Sequence, residues 1–348
     1  MKISIGSKIK TGPWGGGNLF VKNLSNYLLD NGHEVVYDLL HLDIDVILLT
    51  DPRPRRLSSS TFNHKDIKYY KKFINPKVKV VQRINECDER KSTEGVNELY
   101  LKASHCSDRI VFVSDWLKSI YLKLGIDINK STTILSGANH LSFNTLNSQA
   151  WNGLDKINLV THHWSANRNK GLETYLAVDK LLDKAHWSKK LNFTYIGNVS
   201  KEFKFKNTKV IKPLEEKNLA EELKKHHVYI TGSINEPSGN HHVEAAQCGL
   251  PILYLESGGV TEYCKSYGLP FQNENLETVL EQLIKDYKHF KNRLRSYPLT
   301  ADITSGEFVK EFESLLKLDQ KNYESNNNLF FIYIFFAFQR FKRNFIQK

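Results

Sequence analysis

Two glutamates, Glu236 and Glu244, lie in a segment whose pattern predicts an anion-binding site next to carboxylates. The segment EPSGNHHVEAAQCGLP (236–251) follows HVYITGS (227–233), an apolar stretch typical of a buried parallel strand. Proline, serine and glycine after Glu236 predict a turn, and apolar residues at helical spacing begin near Asn240. The first N–H groups of such a helix have no partner within it, and together with the helix dipole they bind anions.

Carboxylates beside an anion site are best explained by a ligand that carries both phosphate and hydroxyl groups. A sugar nucleotide is such a ligand, because its diphosphate would accept hydrogen bonds from the N–H groups and its hydroxyls would donate to the carboxylates. Either glutamate alone is more simply explained as a solvated surface residue, since most glutamates are exposed. The combination of strand, turn, helix and two acids is what favours a binding site.

Length and composition suit a soluble protein of two domains with an acidic partner. The chain has 348 residues, of which 40% are hydrophobic and 25% charged, and its net charge is +11. That charge fits nucleic acid, an anionic membrane or a phosphorylated substrate, but no C-x-x-C pair, RNP-like aromatic or basic helix favours nucleic acid. The four cysteines lack disulfide or metal spacing and no secretory signal is visible, so we expect a cytosolic protein.

A glycine-rich turn follows the first predicted strand, MKISIGSKI (1–9). Gly15, Gly16 and Gly17 form this turn, and an amphipathic helix follows from about Phe20. Strand, glycine turn and helix in this order are typical of a Rossmann-like domain. Three consecutive glycines do not form the dinucleotide fingerprint G-x-G-x-x-G, so a nicotinamide-dependent oxidoreductase is the weakest of the alternatives.

Charged residues also follow a later predicted strand, KVKVVQRI (77–84). They lie at the strand's carboxyl end, where ligands bind in open α/β sheets. Arg83, Asn85, Asp88 and Arg90 could therefore contact a donor or an acceptor. For each of the four residues, a solvated charged loop is an equally good explanation.

The segment from Glu236 resembles the C-terminal signature of family 4 glycosyltransferases. Two glutamates separated by seven residues are followed by AAQCGLPI and then by GGVTEY (258–263), and RINECDERK resembles a stretch found in a bacterial subset of these enzymes. The resemblance implies a retaining enzyme with the GT-B architecture, an α/β fold in which two Rossmann-like domains face each other across a cleft. It implies an acceptor domain at 1–145, a nucleotide-sugar domain at 155–300, and C-terminal helices and a tail at 301–348, with helices that cross back onto the first domain.

The resemblance also implies specific roles. Glu236 would hold hydroxyls of the donor sugar, Glu244 would bind the ribose, and Lys170 would neutralise the departing diphosphate. The family's usual phosphate-binding arginine falls at Ser165 here, so Arg168 or His163 would stand in for it. The remaining residues expected to bind substrate are Gly15, Gly16, Gly17, Gly239, Asn240, Leu214 near the nucleobase, Arg83 and Asn85. The acceptor would attack from the face that the diphosphate leaves.

We expect a nucleotide-sugar donor and a glycan or lipid-linked acceptor, with neither a cofactor nor a metal. Adjacent histidines at 162–163, 226–227 and 241–242 make poor ligand pairs, because neighbouring side chains diverge on strands and helices. Two alternatives stay open: a sugar-nucleotide epimerase of the same architecture, and a catalytically inactive sugar-nucleotide-binding protein, which the departure at Ser165 favours.

The C-terminal segments predict two amphipathic helices, at 276–294 and 305–318, and an aromatic tail. The tail contains ten apolar residues (329–338) followed by four cations, too few apolar residues to span a bilayer, which takes about 20. An interfacial anchor on the anionic inner face of the membrane and a helix docked on the protein's own surface are equally good explanations. The expected location is cytoplasmic, with peripheral membrane contact under the first explanation.

Overall fold

A computed structural model describes residues 1–12, 15–54, 58–200, 203–318 and 329–346, and within the last range it describes the side chains of 332–341. The strands form two six-stranded parallel sheets. The first sheet contains β1 (Lys2–Ile5), β2 (Glu34–Val36), β3 (Val46–Leu49), β4 (Lys79–Ile84), β5 (Arg109–Phe112) and β6 (Ser131–Thr133), in the order β2-β1-β3-β4-β5-β6. The second contains β7 (Ile157–His163), β8 (Leu191–Gly197), β9 (Lys209–Ile211), β10 (Val228–Thr231), β11 (Ile252–Leu255) and β12 (Gly268–Phe271), in the order β12-β11-β10-β7-β8-β9.

Helices connect the strands as parallel sheets require. In the first half they are α1 (Gly16–Asp30), α2 (His64–Phe73), α3 (Asp88–Lys91), α4 (Val96–Ser104) and α5 (Asp115–Lys123). In the second half they are α6 (Leu172–Leu181), α7 (Ala185–Lys190), α8 (Glu216–Leu223), α9 (Asn240–Gln247), α10 (Val260–Cys264), α11 (Leu276–Lys285), α12 (Tyr287–Arg293), α13 (Ala301–Lys317) and α14 (Leu329–Ile346). The predicted two-domain α/β fold is confirmed.

The central strands are apolar along their whole length because both faces of each sheet are covered. Val46–Leu49 of β3 and Ile252–Leu255 of β11 are buried at every position. Polar residues at helix starts fix where the chain turns: Ser114 accepts a hydrogen bond from the N–H of Leu117 and caps α5. The sequence therefore fixes the alternation of strand and helix locally.

The predicted helix at 276–294 is two helices, α11 and α12, which meet at Asp286. The break places Tyr287 against Trp151 of the connection between the sheets, with ring centroids 5.8 Å apart and the N–H of Trp151 donating to the tyrosine hydroxyl at 3.0 Å. The helical periodicity of 276–294 continues through this point, so the sequence alone did not show the break.

The chain returns to its first domain after the second sheet. Phe308, Phe312 and Leu315 of α13 pack on α1 in the cluster that contains Ile3, and the rings of Phe308 and Phe20 lie 5.1 Å apart. This is the crossing that the resemblance implied. Among the described residues, no helix has both the length and the hydropathy needed to cross a bilayer.

Candidate active site

The backbone of Glu236 is held between two turns at the carboxyl end of the second sheet. Asn235, just before it, has a positive φ of 49° and donates its N–H to the Ser257 hydroxyl at 2.9 Å. The carbonyl of Glu236 accepts the N–H of Gly259 at 2.9 Å. A Cβ at Gly258 would lie 2.5 Å from that carbonyl oxygen, and φ there is 68°, so this approach requires glycine.

The Glu236 carboxylate is buried between two cations from different domains. Its side chain contacts the ammonium of Lys170, which follows β7, and lies 3.2 Å from Nε of Arg90 in α3. Burial alone would raise the pKa of Glu236, but Arg90 and Lys170 outweigh that effect and lower it to about 2. Glu236 is therefore ionised throughout the physiological range.

The pKa values of the two cations shift in opposite directions. Burial lowers the pKa of Lys170, and the neighbouring Arg90 lowers it further, although Glu236 opposes both effects. Glu236 raises the pKa of Arg90, and a second carboxylate, Glu86, lies 3.1 Å from its guanidinium. An anionic ligand beside Lys170 and Arg90 would reduce the electrostatic repulsion between their two positive charges.

Two helix N-termini face each other beside this cluster. A Cβ on Gly16, at the start of α1, would lie 3.0 Å from the Asn240 side chain at the start of α9. Neither Gly15 nor Gly239, the residues that precede the two helices, makes a side-chain cap. Gly15 and Gly17 face open space among the described residues. The predicted glycine turn and the predicted anion corner are thus brought together across the domains.

Glu244 lies within α9, eight residues after Glu236. It is buried, and its Oε2 lies 2.8 Å from Nε2 of His162 on β7. It makes no ion pair with Lys170, so the two glutamates occupy distinct surroundings within the described structure.

Four buried histidines gather between β7 and α9, and sequence reasoning missed this. The ring centroid of His241 lies 4.7 Å from that of His163, 4.8 Å from that of His242 and 6.2 Å from that of His162. Burial lowers the pKa of His163 and His241 well below the ordinary value and lowers that of His242 to about 3. Within the described ranges, no group of three or more His, Cys, Asp or Glu is arranged to hold a metal.

The two residues expected to replace the missing phosphate-binding arginine make other contacts in the structure. Arg168 is exposed and pairs with Glu173. His163 is neutral because it is buried, and its Nε2 lies 2.5 Å from the Tyr175 hydroxyl. The second cation beside Glu236 is Arg90, which the charged segment after β4 supplies.

The other predicted residues are Arg83, Asn85, Leu214 and Asp88, and each has its own surroundings. Arg83 is buried over the Phe20 ring at 4.0 Å and near the Ser136 hydroxyl at 3.4 Å, and burial lowers its pKa to about 10. Asn85 is half-buried directly after β4. Leu214 packs against the apolar cluster around α9. Asp88 accepts N–H groups at the start of α4, which assigns it a structural role.

Contacts between α10 and the first domain fix the relative position of the two sheets. Glu262 accepts the N–H groups of Asp115 and Trp116 at 2.7 and 2.8 Å, so it caps α5 from the other domain. The Tyr263 hydroxyl donates to the carbonyl of Val113 and accepts the N–H of Ser136 at 3.0 Å. These contacts hold Arg90 and Glu236 within reach of each other.

Comparisons with known proteins relate one segment of the chain to a described family. Residues 164–297 match the family model described as Glycosyl transferases group 1. No curated protein matches the chain in a sequence comparison.

Three solved structures illustrate the similarity in fold. Sucrose-phosphate synthase from Thermosynechococcus elongatus has a TM-score of 0.65 at 13% identity, with 91% of this chain and 100% of that chain covered. HepE from Anabaena, crystallised with UDP and glucose, has a TM-score of 0.63 at 12% identity, with 90% and 99% covered. AviGT4, a glycosyltransferase involved in avilamycin A biosynthesis, has a TM-score of 0.59 at 14% identity, with 91% and 98% covered.

The solved structures establish the fold, which is the GT-B arrangement of two facing α/β domains. The family match covers Lys170, Glu236 and Glu244. Residues 164–297 thus resemble the group 1 glycosyl transferases in sequence, and the chain has the fold of GT-B glycosyltransferases.

Proposed function

We propose that this protein is a retaining glycosyltransferase of family 4 that moves a sugar from a nucleotide diphosphate donor to a hydroxyl of a glycan or lipid-linked acceptor. The observation that carries the proposal is the buried Glu236 between Lys170 and Arg90, beside the N-termini of α1 and α9. This cluster offers cations and N–H groups to a diphosphate and a carboxylate to sugar hydroxyls.

The diphosphate would lie across Lys170, Arg90 and the N–H groups after Gly15 and Gly239. As the glycosidic bond breaks, negative charge develops on the departing diphosphate. Cations held in a buried site stabilise that charge without reorganising. Glu236 would then hold hydroxyls of the donor sugar, and Glu244 would bind the ribose, as the resemblance implies.

The pKa of Glu236 bears on how the proton is moved. A carboxylate with a pKa of about 2 is a weak base at neutral pH, so it is a poor acceptor for the proton of the attacking hydroxyl. The leaving diphosphate is the better acceptor, and attack from the face that it leaves would retain the anomeric configuration. Glu236 and Glu244 also do not form an acid and nucleophile pair, because Glu244 is paired with His162.

UDP-sugars are the first donors to test, since HepE, which shares the fold, was crystallised with UDP and glucose. Thermal-shift screening against UDP-, GDP- and ADP-sugars should raise the melting temperature with one base, because a ligand that binds only the folded state stabilises it. Transfer to an acceptor hydroxyl should then be measured for the wild type and for Glu236→Gln. Loss of transfer in the variant, with donor binding retained, is the expected result.

Two results would contradict the proposal. Epimerisation of the sugar nucleotide without acceptor would favour the epimerase. Donor binding by a protein whose cellular phenotype survives Glu236→Ala would favour the inactive binding protein.

Cell-envelope polysaccharide synthesis is the pathway class that the proposed acceptors suggest. The corresponding location is cytoplasmic, with peripheral contact on the inner face of the membrane. The C-terminal aromatic and basic segment is the feature that supports this contact.

A further inference from the structure

The C-terminal helix α14 lies on α2 of the first domain by one face. Phe335 is buried and stacks on Tyr69 with ring centroids 5.1 Å apart and planes at 8°, and it meets Tyr70 edge-on at 6.1 Å. Gln339 donates to the Asp66 carboxylate at 3.1 Å. This face of α14 therefore docks on the protein's own surface, which is one of the two explanations given for the tail.

The opposite face of α14 is apolar and exposed. Tyr333 is 75% exposed, Ile334 42%, Phe338 52% and Phe341 61%. Ile334 lies four residues before Phe338 and Phe341 three residues after it, spacings that place them on one side of a helix. No acidic residue occurs between 329 and 348, whereas four cations do.

A basic cavity opens on the other flank of α2. It has a volume of about 320 Å³, and its charged lining consists of Lys68, Lys71, Lys72, His105, Lys130 and Asp108. The Asp108 carboxylate forms an ion pair with Lys71 at 2.9 Å and accepts a hydrogen bond from the N–H of Val80 at 2.8 Å. Lys68 and Lys72 are exposed, so their charges are available to an anion.

Helix α2 thus joins an aromatic face to a cationic one. The cavity residues Asp108 and Lys130 precede β5 and β6, which places the cavity at the amino ends of the first sheet. Glu236 and Arg90 lie at the carboxyl ends, on the opposite edge. Changes at the cavity therefore leave the candidate active site intact.

We propose that α2, its lysine cavity and the exposed face of α14 form one docking surface for an anionic lipid bilayer. The lysines bind lipid phosphates, and the aromatic side chains enter the interface between headgroups and acyl chains. Charge complementarity selects this occupant, because a second copy of the same face would oppose lysine to lysine. This proposal rests on the peripheral membrane location given under the proposed function. It adds which residues contact the membrane and that the lipids are anionic.

Vesicle co-sedimentation of the full chain tests this surface. The protein should bind vesicles of phosphatidylcholine and phosphatidylglycerol at roughly 2:1, should not bind phosphatidylcholine alone, and should be released by about 0.5 M salt. Lys68→Glu combined with Lys72→Glu should weaken binding about tenfold or more. Lys189→Glu combined with Lys285→Glu, which changes the charge equally on the second domain, should leave binding unchanged.

Tyr333→Ser combined with Ile334→Ser tests the aromatic face. Leu154→Ser, at a leucine that is 91% exposed in the connection before β7, is the control. Binding should fall in the first variant only, with both melting temperatures unchanged. Absence of binding to anionic vesicles, or binding that neither lysine nor tyrosine variant weakens, would overturn the proposal. So would a dimer in sedimentation velocity that the tyrosine variant dissociates, because the occupant would then be a second copy.

The same preparations separate this proposal from the proposed function. Donor binding and transfer to a soluble acceptor should be equal in the wild type and in the lysine and tyrosine variants. Loss of vesicle binding with transfer intact confirms the surface and the enzyme together. Vesicle binding by a wild type that transfers nothing would leave the surface supported and refute the transferase.

Discussion

Replacing Glu236 by glutamine should destabilise the protein by an amount that depends on pH. In the folded protein the pKa of this carboxyl falls from its ordinary value of 4.5 to about 2, because Arg90 and Lys170 outweigh the effect of burial. Each pKa unit corresponds to about 1.4 kcal/mol, so the ionised carboxylate contributes about 3 kcal/mol to the free energy of unfolding at pH 7. Glutamine keeps the shape of the side chain and removes that contribution.

The sign of the pH dependence follows from the lowered pKa. The contribution is present in full above about pH 4.5, where the carboxyl is ionised in both the folded and the unfolded chain. It declines as the pH falls toward 2, because the unfolded chain then binds a proton that the folded chain does not. The difference between the wild type and Glu236→Gln should therefore be about 3 kcal/mol at pH 7, about 1.5 kcal/mol at pH 3, and below about 0.5 kcal/mol at pH 2.

Urea unfolding followed by circular dichroism between pH 7 and pH 3 measures this difference. Glu98→Gln is the matched control, because Glu98 pairs with Lys102 on an exposed helix face and should be neutral within error. A variant as stable as the wild type at pH 7 would refute the reasoning. A loss that stays constant down to pH 3 would also refute it, since that loss could not come from the charge.

Two further substitutions test the geometry around this carboxylate. Gly258→Ala should lower the free energy of unfolding by about 2 kcal/mol or more and lower the melting temperature, because φ is 68° and the new Cβ would lie 2.5 Å from the carbonyl oxygen of Glu236. Gly153→Ala, at a φ of 84° with open space around it, should destabilise the protein clearly less. Equal losses of stability in the two variants would contradict the close approach at Gly258. Lys170→Ala should lower kcat/KM for sugar transfer by about 100-fold or more, whereas Arg168→Ala should change kcat/KM by less than about twofold. A larger loss of kcat/KM in Arg168→Ala would indicate that Arg168 binds the phosphate.

Local signals in the sequence predict most of the fold. Apolar runs such as 252–255 are strands because both of their faces are covered, and glycine turns mark where helices begin. The break at Asp286 was not predicted, because it depends on Tyr287 packing against Trp151, a contact between distant segments. Periodicity describes one element at a time and contains no information about such contacts.

The candidate site was predicted in part for the same reason. The glutamates, Lys170 and the glycine turn lie in recognisable local patterns, and the structure brings Glu236, Lys170, Gly16 and Asn240 together. The histidine cluster was missed because it combines two pairs from separate elements, one on β7 and one on α9. The spacing within each pair shows that it is a poor pair of metal ligands, but it contains no information about how the two pairs pack against each other.

The departure at Ser165 has a physical consequence for how the two domains work together. In the family pattern that the sequence resembles, both phosphate-binding cations belong to the second domain. Here Lys170 comes from the second domain and Arg90 from the first, and both contact Glu236. A site built from one domain keeps its cations in place whether the cleft is open or closed. Under the proposed function, in which the donor diphosphate binds both cations, donor binding should favour contact between the domains, because that contact brings Arg90 to Lys170.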